Sequence, residues 1–151
     1  SPPMKCLLRS TLLTLTAVAG GAHATDPDPS LIGCWRAAKI VLHTPDGAKA
    51  EDTSGRCTLR FTADRLESTC KTSSGTATTT YRYEVVRPQV YAATMAGSTF
   101  RTEMVGSTRE YAYTVQEDQL HTTTAPAAKG PVAAPAAAPR VETEAIRTPC
   151  P

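Results

Sequence analysis

Asparagine is absent from this chain of 151 residues, and aromatic residues are scarce: Trp35, Phe61, Phe100 and five tyrosines. Without Asn there is no acceptor for N-glycosylation. The apolar run at Leu12–Val18 is too short to anchor a chain across a bilayer. No Gly-x-Ser-x-Gly, His-Glu-x-x-His, phosphate loop or dinucleotide fingerprint occurs. These absences argue against a membrane-spanning protein, a coiled coil and a large enzyme. What the chain has in quantity is Thr (24) and Ala (23). Abundant Thr with little Leu favours strands over helices, and the length suits one domain.

Residues 1–24 read SPPMKCLLRSTLLTLTAVAGGAHA. Met4 reads as the start, with residues 1–3 an extension. Lys5 and Arg9 supply a positive region, Leu12 to Val18 an apolar one, and Ala22-His23-Ala24 a small-x-small cleavage site. That order predicts a secretory signal peptide cut after Ala24, and hence a periplasmic or secreted bacterial protein. Cys6 precedes the apolar run, so it is not placed to carry a lipid anchor. Loss of Lys5 and Arg9 leaves 14 cations against 14 acids. A neutral chain lacks the basic footprint of a nucleic-acid partner.

Four cysteines remain after that cut: Cys34, Cys57, Cys70 and Cys150. An even number in an exported chain implies two disulfides, with three connectivities open. The paired C-x-x-C spacing of zinc sites is missing. Neither a metal nor a cofactor is expected.

From Leu31 to Thr124 the chain reads as strand broken by turn residues. Eight runs can be drawn, at 32–43, 56–62, 65–71, 77–87, 90–95, 99–105, 108–115 and 118–124, with Gly97 among the breaks. Tyr81, Tyr83 and Val85 alternate with Arg82 and Glu84; Phe100, Thr102 and Met104 alternate with Arg101 and Glu103; Tyr111, Tyr113 and Val115 alternate with Glu110, Ala112 and Thr114. Such alternation marks antiparallel strands with one face on a core. Short connections make a meander, and an eight-strand meander removes its edges by closing. The expected fold is therefore all-β: a small eight-stranded antiparallel meander barrel over 31–124. A two-sheet sandwich is the competing arrangement. The following stretch, APAAKGPVAAPAAAPR at 125–140, reads as an extended linker. Residues 125–151 then form a Pro/Ala-rich tail whose Cys150 can pin it back.

The segment 57–70, CTLRFTADRLESTC, allows a geometric inference. With Ala63-Asp64 in the turn, Phe61 faces Leu66, Leu59 faces Ser68 and Cys57 faces Cys70. Directly opposed residues lie within reach of a disulfide. This assigns Cys57–Cys70 and leaves Cys34–Cys150.

Leu31-Ile32-Gly33-Cys34-Trp35 opens the first strand after an Asp-Pro-rich lead. It resembles the Gly-x-Trp start of lipocalins and of small bacterial lipocalin-like domains. The resemblance implies that Gly33 turns the chain into the barrel, that Trp35 plugs one end, and that Cys34 points outward toward the tail. Two departures stand against it. The Thr-Asp-Tyr loop motif is missing, and the last strand, taken as 118–124, brings no Arg to stack over Trp35.

Candidate chemistry is sparse. His43 and His121 read as strand residues on the surface, Met95 and Met104 as core filling, and no catalytic group is expected. Tyr81, Tyr83, Tyr111 and Tyr113 fall on apolar faces, and together with Trp35, Phe61, Phe100 and Met104 they are the expected lining of a barrel interior. Tyrosine hydroxyls in an apolar wall orient a guest. The expected function is non-enzymatic binding of a small apolar ligand. The alternatives are inhibition of a secreted or periplasmic enzyme, since Ser73-Ser74-Gly75 resembles the inserting loop of barrel lysozyme inhibitors, and an envelope accessory role. Alkylation under denaturing, non-reducing conditions is expected to label none of the four cysteines after residue 24. Four labelled thiols would sink the disulfide assignment.

Overall fold

The computed structural model describes residues 26–125 and 139–151. The assigned signal peptide and most of the Pro/Ala-rich stretch lie outside the described residues. Nine strands are present among those described: β1 (Gly33–His43), β2 (Lys49–Asp52), β3 (Cys57–Phe61), β4 (Arg65–Thr72), β5 (Gly75–Arg87), β6 (Val90–Ser98), β7 (Thr108–Gln116), β8 (Gln119–Thr124) and β9 (Arg140–Thr148). Each of β3 to β8 pairs antiparallel with the next. β1 joins the ends of that series. One of its sides carries β9; the other carries β3 along Gly33–Arg36 and the short β2 along Ile40–His43. The result is a closed eight-strand antiparallel barrel with β2 as an extra strand, not a sandwich.

The β3–β4 hairpin has the register inferred from its turn: Cys57 opposes Cys70, Leu59 opposes Ser68 and Phe61 opposes Leu66. Both expected disulfides are present, Cys57–Cys70 and Cys34–Cys150.

Three elements differ from expectation, the first being the short β2 (Lys49–Asp52), which falls between the expected runs 32–43 and 56–62. The run 99–105 is not a strand. β6 continues through Gly97 to Ser98, and Thr102–Met104 form a 3-10 turn. Local hydroxyls satisfy this backbone in place of a ladder: Ser98 Oγ accepts from the amides of Phe100 and Arg101, and Ser107 Oγ donates to the Met104 carbonyl. The eighth barrel strand comes instead from the tail. β9 pairs with β8 and, along Cys34–His43, with β1. The barrel therefore does not end at residue 124. Val141, Thr143, Ala145 and Arg147 alternate with Glu142, Glu144, Ile146 and Thr148, a two-residue period that needs a partner strand on each side to be stable.

Register places the turns at 62–64, 88–89 and 117–118 at one end of the barrel, with the chain entering at Leu31 and leaving at Cys150. This end is filled. Leu31 and Trp35 are fully buried, and the Trp35 indole N–H donates to the Leu31 carbonyl at 2.9 Å. The Arg147 guanidinium lies 4.0 Å from the centre of the Trp35 ring. It also donates to the carbonyls of Ser30 (2.9 Å) and Ile32 (3.1 Å). An Arg on the last strand does stack over Trp35, because the last strand is β9. Gly33 has φ +128°, and a Cβ there would stand 2.8 Å from Arg147 Nη1. Only Gly serves at this position, for conformation and for room.

The two disulfides close loops of very different size, with sequence separations of 116 for Cys34–Cys150 and 13 for Cys57–Cys70. The chain-entropy model gives about 5 kcal/mol to the longer and about 3 kcal/mol to the shorter. In urea unfolding, the double variant Cys34→Ser/Cys150→Ser is expected to lose more stability than Cys57→Ser/Cys70→Ser. The reverse order would contradict a closing role for the tail bond.

Candidate functional site

Side-chain size along the inward positions divides the barrel in two. Toward the plugged end these positions carry rings. Phe61, Tyr83 and Tyr91 pack edge to face with centroids 5.3–5.8 Å apart, and Tyr113 tilts against Tyr91 at 5.7 Å. Edge-to-face pairs satisfy the ring quadrupoles as well as the volume. The polar tips reach the rim of this end. Tyr83 donates to the Thr62 carbonyl, and Tyr113 donates to the Asp28 carboxylate at 2.6 Å. Burial raises the Asp28 pKa, but hydrogen bonds from Tyr113 and Ser30 outweigh it and hold the carboxyl below its ordinary value.

Toward the other end the inward residues of β4, β5 and β6 are small: Ser68, Cys70, Ala77, Thr79 and Ala93. Space remains there, as a cavity of about 250 Å³. Tyr81, Met95 and Tyr111 give it ring and thioether walls, and Val141 lines it from β9. The 99–107 segment contributes Phe100, Arg101, Met104 and Ser107. Tyr111 stacks on the buried Tyr91 ring at 5.1 Å and 15°, which ties the cavity wall to the packed half.

The eight expected lining residues are therefore split. Tyr81, Phe100, Met104 and Tyr111 line the cavity. Trp35, Phe61, Tyr83 and Tyr113 do not; they belong to the buried core of the plugged end, where they pack with Leu31, Leu66, Leu120 and Ala145. Phe100 is 58% exposed, since it stands on the rim segment and not on a strand.

Arg101, Arg109 and Met95 were not expected as lining. For Arg109 a signal existed: the alternation of Tyr111 and Tyr113 extends one step back to position 109. Its guanidinium donates to the Pro139 carbonyl at 2.8 Å, where the chain enters β9. The Arg101 guanidinium lies 5.5 Å from the Phe100 ring centre. His43 contacts Glu142 at 3.1 Å and His121 is exposed; neither histidine lines the cavity. Among the described residues no cluster of three or more His, Cys, Asp or Glu could hold a metal.

Every tyrosine hydroxyl is pushed upward in pKa. Burial raises Tyr81 to about 12, with Tyr111 adding to the rise and Arg101 and Arg109 opposing it. Burial also raises Tyr111, against Arg109. Tyr91 is held well above its ordinary value by burial first, and by the phenols of Tyr111, Tyr81, Tyr83 and Tyr113 after it. Tyr83 and Tyr113 are raised by burial first and by Asp28 second, Tyr113 chiefly through its hydrogen bond. A phenol raised in the folded state favours folding below its unfolded pKa of about 10, and that stability is lost as pH climbs through the folded value. Phenolate absorbance of the native protein is expected to show no step near pH 10. The urea midpoint is expected to fall as pH rises from about 10 to 12. Ordinary titration of two or more tyrosines in the folded protein would contradict this burial.

No family model matches the chain, and no curated protein matches it. Solved structures do. A lipocalin-like protein from Bacteroides uniformis superposes with a TM-score of 0.51 at 9% identity, over 79% of this chain and 99% of that one. An uncharacterized protein from Bacteroides eggerthii gives 0.49 at 10% identity, over 78% and 99%. A de novo designed fluorescence-activating β-barrel gives 0.41 at 17%, over 78% and 93%. The first of these establishes the fold as lipocalin-like, and at such identity the likeness is one of fold. The two disulfides are consistent with a periplasmic or extracellular protein. Among the described residues no helix is long and apolar enough to cross a membrane.

Proposed function

We propose that this is an exported, non-enzymatic protein that takes a small apolar ligand into the open end of its barrel. The cavity of about 250 Å³ carries the reading: it lies opposite the plugged end and is walled by Tyr81, Met95, Met104 and Tyr111. Ligand pockets commonly measure about 300–1,000 Å³. The guest is thus small, or it projects from the mouth. An apolar wall with a few polar tips is the usual make-up of such a site. Inhibition of a secreted enzyme is less well supported. The Ser73-Ser74 turn is exposed on the open rim, but Thr72 and Gly75 pair directly across it. It offers two residues where entry into a cleft needs a longer loop.

Trp35 sits at the plugged end and is poorly placed to sense a guest. An extrinsic apolar fluorophore is the better reporter. Its emission is expected to rise on adding the protein and to fall when octanol competes. Ala77→Trp, which fills the cavity from β5, is expected to weaken that binding about tenfold or more. A fluorophore that ignores the wild-type protein, or binds the filled variant equally well, would overturn the reading. Native mass spectrometry of protein from its own host is expected to show a co-purifying small apolar molecule.

A further inference from the structure

The open cavity has a charge imbalance that an apolar guest alone does not resolve. Arg101 and Arg109 both line it, and no Asp or Glu does. All 14 acidic side chains lie within the described residues, and none forms an ion pair with either arginine. Glu110, beside Arg109 in sequence, faces away and pairs with Arg87 at 2.7 Å. Glu103, close to Arg101 in sequence, is exposed and lies outside the lining. The undescribed segment 126–138 contains Lys129 and no acid. Arg109 is half-buried in the wall and Arg101 is exposed on the rim; a guest that covers them with hydrocarbon removes solvation that nothing in the wall returns. An anion on the guest would return it.

The donors are suited to that task. Arg109 engages the Pro139 carbonyl through Nη2 and keeps further N–H groups. Arg101 lies against Phe100, and no hydrogen bond occupies its guanidinium among the described residues. The hydroxyls of Tyr81 and Tyr111 line the same cavity without a hydrogen-bond partner among the described residues, and burial keeps both protonated and able to donate. We infer that the ligand is an amphiphile: an apolar body carrying one anionic head group, a carboxylate being the simplest, held between Arg101 and Arg109 with the Tyr81 and Tyr111 hydroxyls as further donors. This rests on the apolar-cavity reading and adds the charge.

Matched probes separate the two claims. Octanoate and octanol share an apolar body and differ in the head, and calorimetric titration at neutral pH gives a Kd for each. Octanoate is expected to bind about tenfold or more tighter, the size of effect that charge-assisted hydrogen bonds provide. Arg101→Gln and Arg109→Gln are each expected to shrink that preference. Arg109→Lys, which keeps the charge, is expected to retain most of it. Far-ultraviolet circular dichroism checks that each variant keeps its barrel. Equal binding of octanoate and octanol would overturn the anionic head and leave the apolar cavity standing. Failure of both to bind would overturn both. A preference for octanoate that survives both glutamine variants would overturn the assignment to these arginines.

Discussion

The pairing of β1 with β9 is the contact on which the remaining structure depends. Without it the meander from β3 to β8 would end in an unpaired strand on one side and leave β1 half-covered on the other. Exposed edges of that kind invite pairing with other chains. With it, all nine residues of β9 pair with β1, and five of them, at 142–146, pair with β8 as well. The same strand delivers Arg147 to the face of Trp35 and brings Cys150 to Cys34. Sheet closure, end plug and covalent clamp thus fall within a few residues of one another. The bulge between Ala37 and Lys39 lets β1 hold register with β9 while its other side changes partner from β3 to β2.

The interior shows how eight aromatics can serve a domain of this size. Most are spent on one half. Trp35, Phe61, Tyr83, Tyr91 and Tyr113 make a packed block, and the polar atoms of Trp35, Tyr83 and Tyr113 are satisfied by the carbonyls of Leu31 and Thr62 and the carboxylate of Asp28. The other half receives Ala, Ser and Thr at inward positions and stays partly empty. A rigid floor beneath an open space is a favourable arrangement for recognition, since a guest need not pay to order the wall it meets.

Much of this was legible in the residues. Alternation named most of the strands, and the Ala63-Asp64 turn set the register that opposes Cys57 to Cys70. The places of Gly33 and Trp35 followed from the resemblance to the lipocalin Gly-x-Trp start, although the reason for the glycine, room for Arg147, lies 114 residues away and has no local signature. The tail strand was masked by its neighbours. Val141–Thr148 alternates well, but the Pro/Ala-rich stretch before it reads as linker, and a single strand gains stability only from partners. The run 99–105 failed for the opposite reason. Its alternation was genuine, yet Ser98 and Ser107 offered the backbone local partners that a ladder would have had to displace. The cavity was least legible: it arises from small residues on three strands meeting at one level, which no single stretch reveals.

Closure by the first and last strands also fixes the order of events in folding. β1 emerges from the ribosome early and cannot acquire its full set of partners until residues near 148 follow. Contacts so distant in sequence are slow to form, and until they form the half-made sheet keeps open edges. A chain stopped after β8 would contain most of the hydrophobic core and still lack the means to shut it. Truncation of the last dozen residues would therefore be felt as a failure to reach the monomeric barrel, out of proportion to the few side chains removed.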